Sequence, residues 1–554
     1  MVVGVVAFLA YLPGFWWGAP GGTDPQLIRS WGVDDEAPLG PIAQVYNIIE
    51  PQEVQNLGYP LMHSFMTTAA YAPYLGYLWV TGQFSRPTAE FPYGLENAAA
   101  GLWALTAIAH LLSVFLGALI VIAAFVAAER LWGRRTGWLA AGFVGVAYPM
   151  FYYSRTANVD VPALAFVALA LAAYADVLRN GVAVRRLVWL GVFAGCAVAT
   201  KESHAPALIA LPVMLCVQAV RESESGPVSW TTWRPILACG LAAILAFGLG
   251  SGVFVDPDRY MAHLAWTSQR MDALQEGRVA FMTVYPRTLS GHASLLVVLA
   301  GYLAAAMSLI GLLLAVGGLA WVAMRRSRAL AMAIPAITYL AVLFWSSRSG
   351  QLRFVMPAMF PLLLFSARAV TLAHETGRRP LQAAGWLLAV WVLATGLLRG
   401  AALTDELIRD SRYAAAAWLE TELATGDAVE YFGPSAKLPW LPEGVRLSLA
   451  RPYESSTIAP DRSPAAISAI ETGWAERRPR VIILMPDVSS RDGEPHNASC
   501  PPEVFQGLEN GRYGYELAAF FETESLLPWV RRPDLDYPSV NPPIRIYRRI
   551  DSGD

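Results

Sequence analysis

The chain has 554 residues, of which 55% are hydrophobic and only 15% charged, with a mean hydropathy of +0.40. It is too long for one soluble core and too apolar for a water-soluble protein, so it reads as an integral membrane protein. A net charge of -2, with no basic stripe interleaved with aromatics outside the apolar runs, excludes a general attraction to nucleic acid.

Windows of roughly 18 or more apolar residues mark about eleven candidate transmembrane helices. They lie near 2–17, 98–128, 137–153, 158–178, 187–200, 204–220, 234–254, 293–323, 330–346, 353–373 and 381–399. The opening run lacks the charged start and small-residue cleavage site of a signal peptide, and is read as a retained first helix. Arg130, Arg134 and Arg135; Arg179, Arg185 and Arg186; Arg221 and Arg234; Arg325, Arg326 and Arg328; Arg378 and Arg379 gather on alternate connections. The positive-inside rule makes those connections cytoplasmic. The extracytoplasmic face then receives residues 18–97, 154–158, 201–204, 255–292, 346–353 and everything after about 400. Within the long first loop, residues 59–83 are rich in Tyr, Trp, Met and Leu but interrupted by Pro60, Pro73 and Gly76. That pattern suits one or two helices lying along the interface rather than another span.

Charge rises after residue 401, and the segments 428–432, 481–485 and 544–547 read as short strands between polar turns, with helical stretches such as 411–424 between them. The expected organisation is a transmembrane domain over 1–400 and an extracytoplasmic α/β domain over 401–554. No internal repeat is visible, which argues against a transporter built from duplicated halves. Cys196, Cys216 and Cys239 fall inside apolar runs and Cys500 stands alone, so neither a disulfide framework nor a CxxC zinc pattern can be built.

The chemistry concentrates on the extracytoplasmic face. Asp34, Asp35 and Glu36 follow the first apolar run; Arg155 and Asp160 precede another; Lys201, Glu202 and His204 occupy a turn; Arg348 and Arg353 precede a later span. Ionisable groups at the edge of apolar segments are costly and are functional hypotheses by default. Cations of this kind neutralise a leaving phosphate. A carboxylate takes the proton from an attacking hydroxyl or amine, and crowding carboxylates together raises their pKa toward neutrality. The mixture suits transfer of a group from a phosphate-bearing lipid.

The run Val33-Asp34-Asp35-Glu36-Ala37-Pro38, followed by Asn56-Leu57-Gly58-Tyr59-Pro60-Leu61-Met62-His63, resembles the first extracytoplasmic loop of GT-C glycosyltransferases of the protein-mannosyltransferase and aminoarabinose-transferase type. Tyr152-Tyr153-Ser154-Arg155-Thr156-Ala157-Asn158-Val159-Asp160-Val161-Pro162 looks like that family's Ser-Arg-x-x-x-x-Asp-x-Pro segment. Ala199-Thr200-Lys201 is similar to its lysine-bearing turn, and Gln351-Leu352-Arg353-Phe354-Val355-Met356-Pro357 to its Arg-Tyr-x-x-Pro segment. The resemblance covers the first 400 residues, roughly, and rests on the order and spacing of individually weak motifs.

The resemblance implies a polytopic α-helical membrane fold with interfacial helices in the first outer loop. It also implies a dolichyl- or polyprenyl-phosphate-linked sugar donor lodged in membrane lipid, and an inverting transfer to a protein, glycolipid or polymer acceptor at the cell membrane. Carried over, the base is Asp35, because Asp35-Glu36-x-Pro aligns with the family's Asp-Glu-Pro; Asp34 is the one-residue register alternative, with Glu36 beside them. Asp160 matches the second acidic position, while Lys201 and Arg353, joined by Arg155, match positions near the lipid phosphate. Tyr59, His63 and Arg270 are candidate acceptor or gating residues. The chain departs from the pattern in Tyr-Pro-Leu where many relatives have Tyr-Pro-Pro or Tyr-Pro-Ser, and in lacking a His before the Asp-Glu pair. These departures leave the sugar, the acceptor and a divalent metal open.

Plainer readings stand beside these. The acidic run is also what a helix N-terminus favours, Asp160 can cap the span it opens, and Arg155, Lys201 and Arg353 can be snorkelling anchors. His63, His204, His263 and His292 lack a zinc-ligand spacing. The loop carrying Asp256, Arg259, His263, Gln269, Arg270 and Arg278 is solvated charge by default, and Asn497-Ala498-Ser499 is a glycosylation sequon by pattern only. The alternative function is a transporter or flippase of an anionic glycolipid or other anionic substrate.

Overall fold

The structure is a computed structural model that describes residues 2–51, 57–223, 229–276, 283–451, 463–487, 490, 495–533 and 540–550. Asn56 of the first motif and Arg278 of the later loop lie outside the described residues.

The helical body is built, among the described residues, from α1 Val2–Tyr11, α2 Gly40–Ile49, α3 Met62–Val80, α4 Ala98–Trp132, α5 Arg134–Gly145, α6 Tyr148–Tyr153, α7 Asp160–Asn180, α8 Val184–Thr200, α9 Leu211–Glu222, α10 Trp230–Ser251, α11 Pro257–Gln275, α12 Leu289–Met307, α13 Leu309–Met324, α14 Ile334–Val342, α15 Met356–Glu375 and α16 Arg379–Ile408. Among the described residues, eight helical stretches are long and apolar enough to cross a membrane, and α1 and α13 are shorter apolar helices. The chain is a polytopic helical membrane protein.

The spans divide by burial. The most apolar stretches of α4, α7 and α15 are 61%, 72% and 78% buried, whereas that of α10 is 28% buried. Leu237, Leu241, Ile244 and Leu245 of α10 are exposed at helical spacing, as expected of a stripe facing lipid. Helices approach closely where side chains vanish, because lipid supplies no hydrophobic drive between them and packing must do so. A Cβ added at Gly191 or Gly195 of α8 would lie 2.2 Å from Cys239 O or 2.4 Å from Ala243 O of α10, and one at Gly318 of α13 would lie 2.1 Å from Phe365 O of α15.

Three expected spans are interrupted. Pro13 and Gly14 (φ +82°) follow α1, which stops at Tyr11 rather than running to 17. The run 137–153 divides into α5 and α6, with Pro149 in the first turn of α6. The run 293–323 breaks at Ser308, whose φ of +63° diverts the chain and whose Oγ accepts from Gly311 N at 3.1 Å to start α13. The aromatic part of the first loop forms one helix, α3, with Pro73 inside it.

Beyond α16 come α17 Ser411–Glu422, β1 Ala428–Tyr431, β2 Arg446–Leu449, α18 Pro464–Arg477, β3 Val481–Leu484, α19 Pro502–Glu509, β4 Tyr515–Phe521 and β5 Ile544–Arg549. The sheet order is β2-β1-β3-β5-β4. The first three strands are parallel, and β5 runs antiparallel to β3 and β4. The expected strands at 428–432, 481–485 and 544–547 and the helix at 411–424 are all present, and β2 and β4 complete the sheet. Asn497 is fully buried, its Nδ2 donating to Phe432 O and Met485 O, so the sequon side chain is a brace between the ends of two strands.

This C-terminal α/β domain packs onto the first loop. Trp17 Nε1 donates to Asp410 Oδ2 at 3.0 Å, Trp31 Nε1 to Leu438 O at 3.0 Å, and Trp440 Nε1 to Ala19 O at 2.9 Å. Arg412, itself bonded to Asp410, lies 4.2 Å from the Trp31 ring centroid, a desolvated cation–π contact. The loop is thus held between the helical body and the sheet domain.

Candidate active site

The first loop runs into the site through Ser30 to Pro38. Gly32 is required there by space, because a Cβ would lie 2.7 Å from Asp35 Oδ2. Asp35 folds inward: its Oδ2 accepts from Ser30 Oγ at 2.9 Å and sits 2.8 Å from His110 Nε2 of α4, while its Oδ1 accepts from Ala37 N at 3.1 Å. His110 Nδ1 in turn faces Phe15 O at 2.7 Å. Both Asp35 and His110 side chains have no exposure. Burial opposes ionisation of Asp35, but His110, Ser30 and the Ala37 N–H outweigh it and hold the carboxyl below its usual range.

Asp34 turns the other way. Its backbone adopts φ +50°, a left-handed conformation that costs a non-glycine residue energy and points its side chain away from its neighbour's. Asp34 Oδ2 meets Arg353 Nη1 at 2.5 Å, and its side chain is 40% exposed against 7% for Arg353. Arg353 is fixed by Nε donating to Gln351 Oε1 at 3.1 Å, within the single turn Leu352–Val355 that leads into α15. Burial is the largest influence on Asp34, yet Arg353, followed by Lys201 and Arg270, brings its pKa below the ordinary carboxylate value.

The segment before α7 braces this turn. Asn158 Nδ2 donates to Val33 O at 3.3 Å, Glu36 N to Ala157 O at 3.4 Å, and Asn158 Oδ1 accepts from Asp160 N at 2.8 Å. Asp160 Oδ1 receives Lys201 Nζ at 2.7 Å, and Lys201 lies 5.6 Å from the Tyr59 ring centroid. Burial pushes the Tyr59 phenol well above its usual pKa, with Asp34, Arg353, Asp160 and Glu36 as its charged neighbours. The structure therefore brings together Asp34, Glu36, Tyr59, Asp160, Lys201 and Arg353, with Arg270 of α11 as a further cation facing Asp34.

Other candidates lie apart from that cluster. Arg155 is fully buried and donates to Ala10 O and Phe151 O, tying α1 to α6. His63 Nε2 bonds Ala157 O at 3.0 Å, a support beneath the turn. Arg348 donates to Tyr285 O. The histidines are scattered: His263 bridges Glu202 Oε1 at 2.7 Å and Leu57 O at 2.6 Å, and His292 lies against the tilted rings of Phe344 and Trp345. His204 is buried beside Tyr339, and among the described residues neither of its ring nitrogens meets a hydrogen-bond partner. Among the described residues, no group of three or more His, Cys, Asp or Glu is arranged to hold a metal ion.

Three residues that grip the loop fall outside the sequence motifs. His110 is an ionisable residue inside the apolar run 98–128, which is itself a signal. Lys437 and Arg412 of the C-terminal domain carry no local motif, and only the tertiary packing brings them to the loop.

Residues 103–247, which include Asp160 and Lys201, match the family model for dolichyl-phosphate-mannose-protein mannosyltransferases. Comparison with curated protein sequences finds no match. Among solved structures, ArnT from Cupriavidus metallidurans in the apo state is similar over 98% of this chain and 97% of that one, at 14% identity and a TM-score of 0.50. The same protein bound to undecaprenyl phosphate matches with the same coverage, at 13% identity and a TM-score of 0.47. The arabinofuranosyltransferase AftD from Mycobacteria matches over 100% of this chain and 41% of that one, at 15% identity and a TM-score of 0.42. The likeness to apo ArnT is one of fold, extending over helical body and C-terminal domain alike. The chain thus shares its fold with apo ArnT, and its segment 103–247, from α4 into α10, is similar to the dolichyl-phosphate-mannose-protein mannosyltransferase family.

Proposed function

We propose that this protein transfers a sugar from a polyprenyl-phosphate-linked donor to an acceptor hydroxyl or amine, with inversion, on the extracytoplasmic face of the cell membrane. The observation that carries the reading is the partly exposed Asp34 carboxylate set against Arg353, with Lys201 and Arg270 facing it. The family whose model spans Asp160 and Lys201 is named for a lipid-phosphate sugar donor, and arginines near the ends of α4, α7, α9 and α13 support the orientation.

In this mechanism the prenyl tail stays in the bilayer and the donor phosphate lies against Lys201 and Arg353. Asp160 orients Lys201. Asp34 accepts the proton of the acceptor's O–H or N–H as that atom bonds to the anomeric carbon. The bond from the anomeric carbon to the phosphate oxygen breaks, and its electron pair leaves on the phosphate, where the cations stabilise the added charge. Asp34 suits the base role better than Asp35 on geometry, since Asp35 is enclosed by Ser30, His110 and Ala37.

The test is sugar transfer from a radiolabelled polyprenyl-phosphate donor by the purified protein in detergent. Transfer by the native chain and its loss in Asp34→Asn support the reading. Full activity in Asp34→Asn removes Asp34 as the base, and substrate movement across vesicles without transfer would favour the transporter alternative.

A further inference from the structure

Lys201 and Lys437 are the only two lysines of the chain, against its many arginines, and both lie at the Asp34 turn although 236 positions of sequence separate them (437 minus 201). Lysine offers a compact ammonium with donors radiating from one point, and it sheds its proton on burial far more readily than arginine does. Lys437 closes the short turn Ser435–Lys437 that follows β1 in the C-terminal domain. Its Nζ donates to the carbonyls of Trp31 and, at 2.9 Å, of Gly32. The next residue, Leu438, accepts Trp31 Nε1. The sheet domain therefore grips the two peptide units that lead into Val33 and Asp34, while Asp35 and His110 grip the residue just after. Between these two anchors Asp34 is held at φ +50°, a conformation that persists only where surrounding structure enforces it.

The charged groups facing the Lys437 ammonium are Arg412 from α17, Asp34 and Asp35 from the first loop, and Asp487 after β3. Desolvation, then repulsion from Arg412, lowers its pKa to about 7 against the attraction of the three carboxylates. As pH rises through that value the ammonium loses its proton, its two hydrogen bonds weaken, and the positive charge beside Asp34 and Asp35 disappears.

We propose that Lys437 is a positioning residue for the Asp34 carboxylate, so that the C-terminal domain completes the active site by anchoring the loop that carries the base. This rests on the transfer reading given under Proposed function. Kinetics of the full-length protein with polyprenyl-phosphate sugar test it. Lys437→Met is expected to lower kcat by roughly 10- to 100-fold while the donor KM stays within about two-fold, since misplacing a catalytic group by about 1 Å costs on the order of 100-fold. The native chain is expected to lose activity on the alkaline side with a midpoint near pH 7. Lys437→Arg, charged throughout, should recover most of the lost kcat and move that limb to higher pH.

Native kcat in Lys437→Met, a raised donor KM with unchanged kcat, or the same alkaline limb in Lys437→Arg would each overturn the proposal. Should Lys437→Met fail to fold, the arginine variant and the native pH profile decide it. Hydrogen exchange over residues 30–37 separates this inference from the transfer reading, because it needs no turnover. Faster exchange there in Lys437→Met supports the anchor, and unchanged exchange sinks it. Absence of transfer by the native chain, with exchange altered, refutes the catalytic reading alone.

Discussion

Asp34 and Asp35 are neighbours in sequence, yet they occupy opposite settings. Asp35 faces α4, fully enclosed, with three hydrogen-bond donors around it. Asp34 faces the turn before α15, part-exposed, with Arg353 against it. A buried, saturated carboxylate has nowhere to place an incoming proton without breaking its own contacts, which under the proposed reading makes Asp35 a strut. A part-exposed carboxylate among cations remains ionised and reachable. Adjacent carboxylates thus acquire different settings, and under the proposed reading only Asp34 acts as the base, a division of labour that acid–base sites use.

Exchanging each group for its neutral counterpart breaks the comparison most directly. Asp34→Asn should reduce transfer by about 10²- to 10⁴-fold, the range expected for a general base, with a smaller loss of stability than Asp35→Asn. Asp35→Asn leaves His110 facing an amide and should cost roughly 1–3 kcal/mol of stability, as removing one partner of a buried hydrogen bond does, read as a lower denaturant midpoint. Equal loss of stability in both variants would erase the distinction between strut and base.

The cation side is expected to give a smaller effect. Arg353→Gln should lower kcat/KM by about 10²-fold, typical of removing one donor that stabilises developing charge. It should also raise the pH of the acid limb of the rate profile, because Arg353 is the leading group that lowers the Asp34 pKa. The sign for stability follows from Asp35, whose pKa is lower folded than unfolded. Its contribution is complete above the ordinary aspartate value of about 3.9 and declines as pH falls through the folded value. An acid melt of Asp35→Asn should therefore be flatter than that of the native chain in that window. Finally, Gly191→Ala should cost about 1–3 kcal/mol by overpacking α8 against α10, without changing the pH profile.

Much of the architecture was legible in the residues. Long apolar runs announce α4, α7, α10 and α15 because no other structure satisfies backbone groups in lipid, and the short apolar strands of the C-terminal domain stand out between polar turns. Proline and glycine interruptions were legible in principle but were outweighed by hydropathy. A window average does not register that Ser308 leaves the helical region or that Pro149 restarts a helix. In the site, Lys201 meets Asp160 and Arg353 meets Asp34, whereas Arg155, in the same motif as Asp160, donates to Ala10 O of α1 instead.

The sequence by itself determined that the chain is a membrane protein, that its ionisable groups gather in a few connections, and that a soluble α/β unit follows. Those facts depend on composition and local pattern. Only the tertiary structure decided which of two adjacent aspartates is available. That choice rests on the left-handed backbone at Asp34, on His110 lying 75 residues away from Asp35, and on Lys437 lying 405 residues away from Gly32. An irregular loop has no periodicity to reveal where its side chains point, and its shape comes from the distant surfaces that grip it.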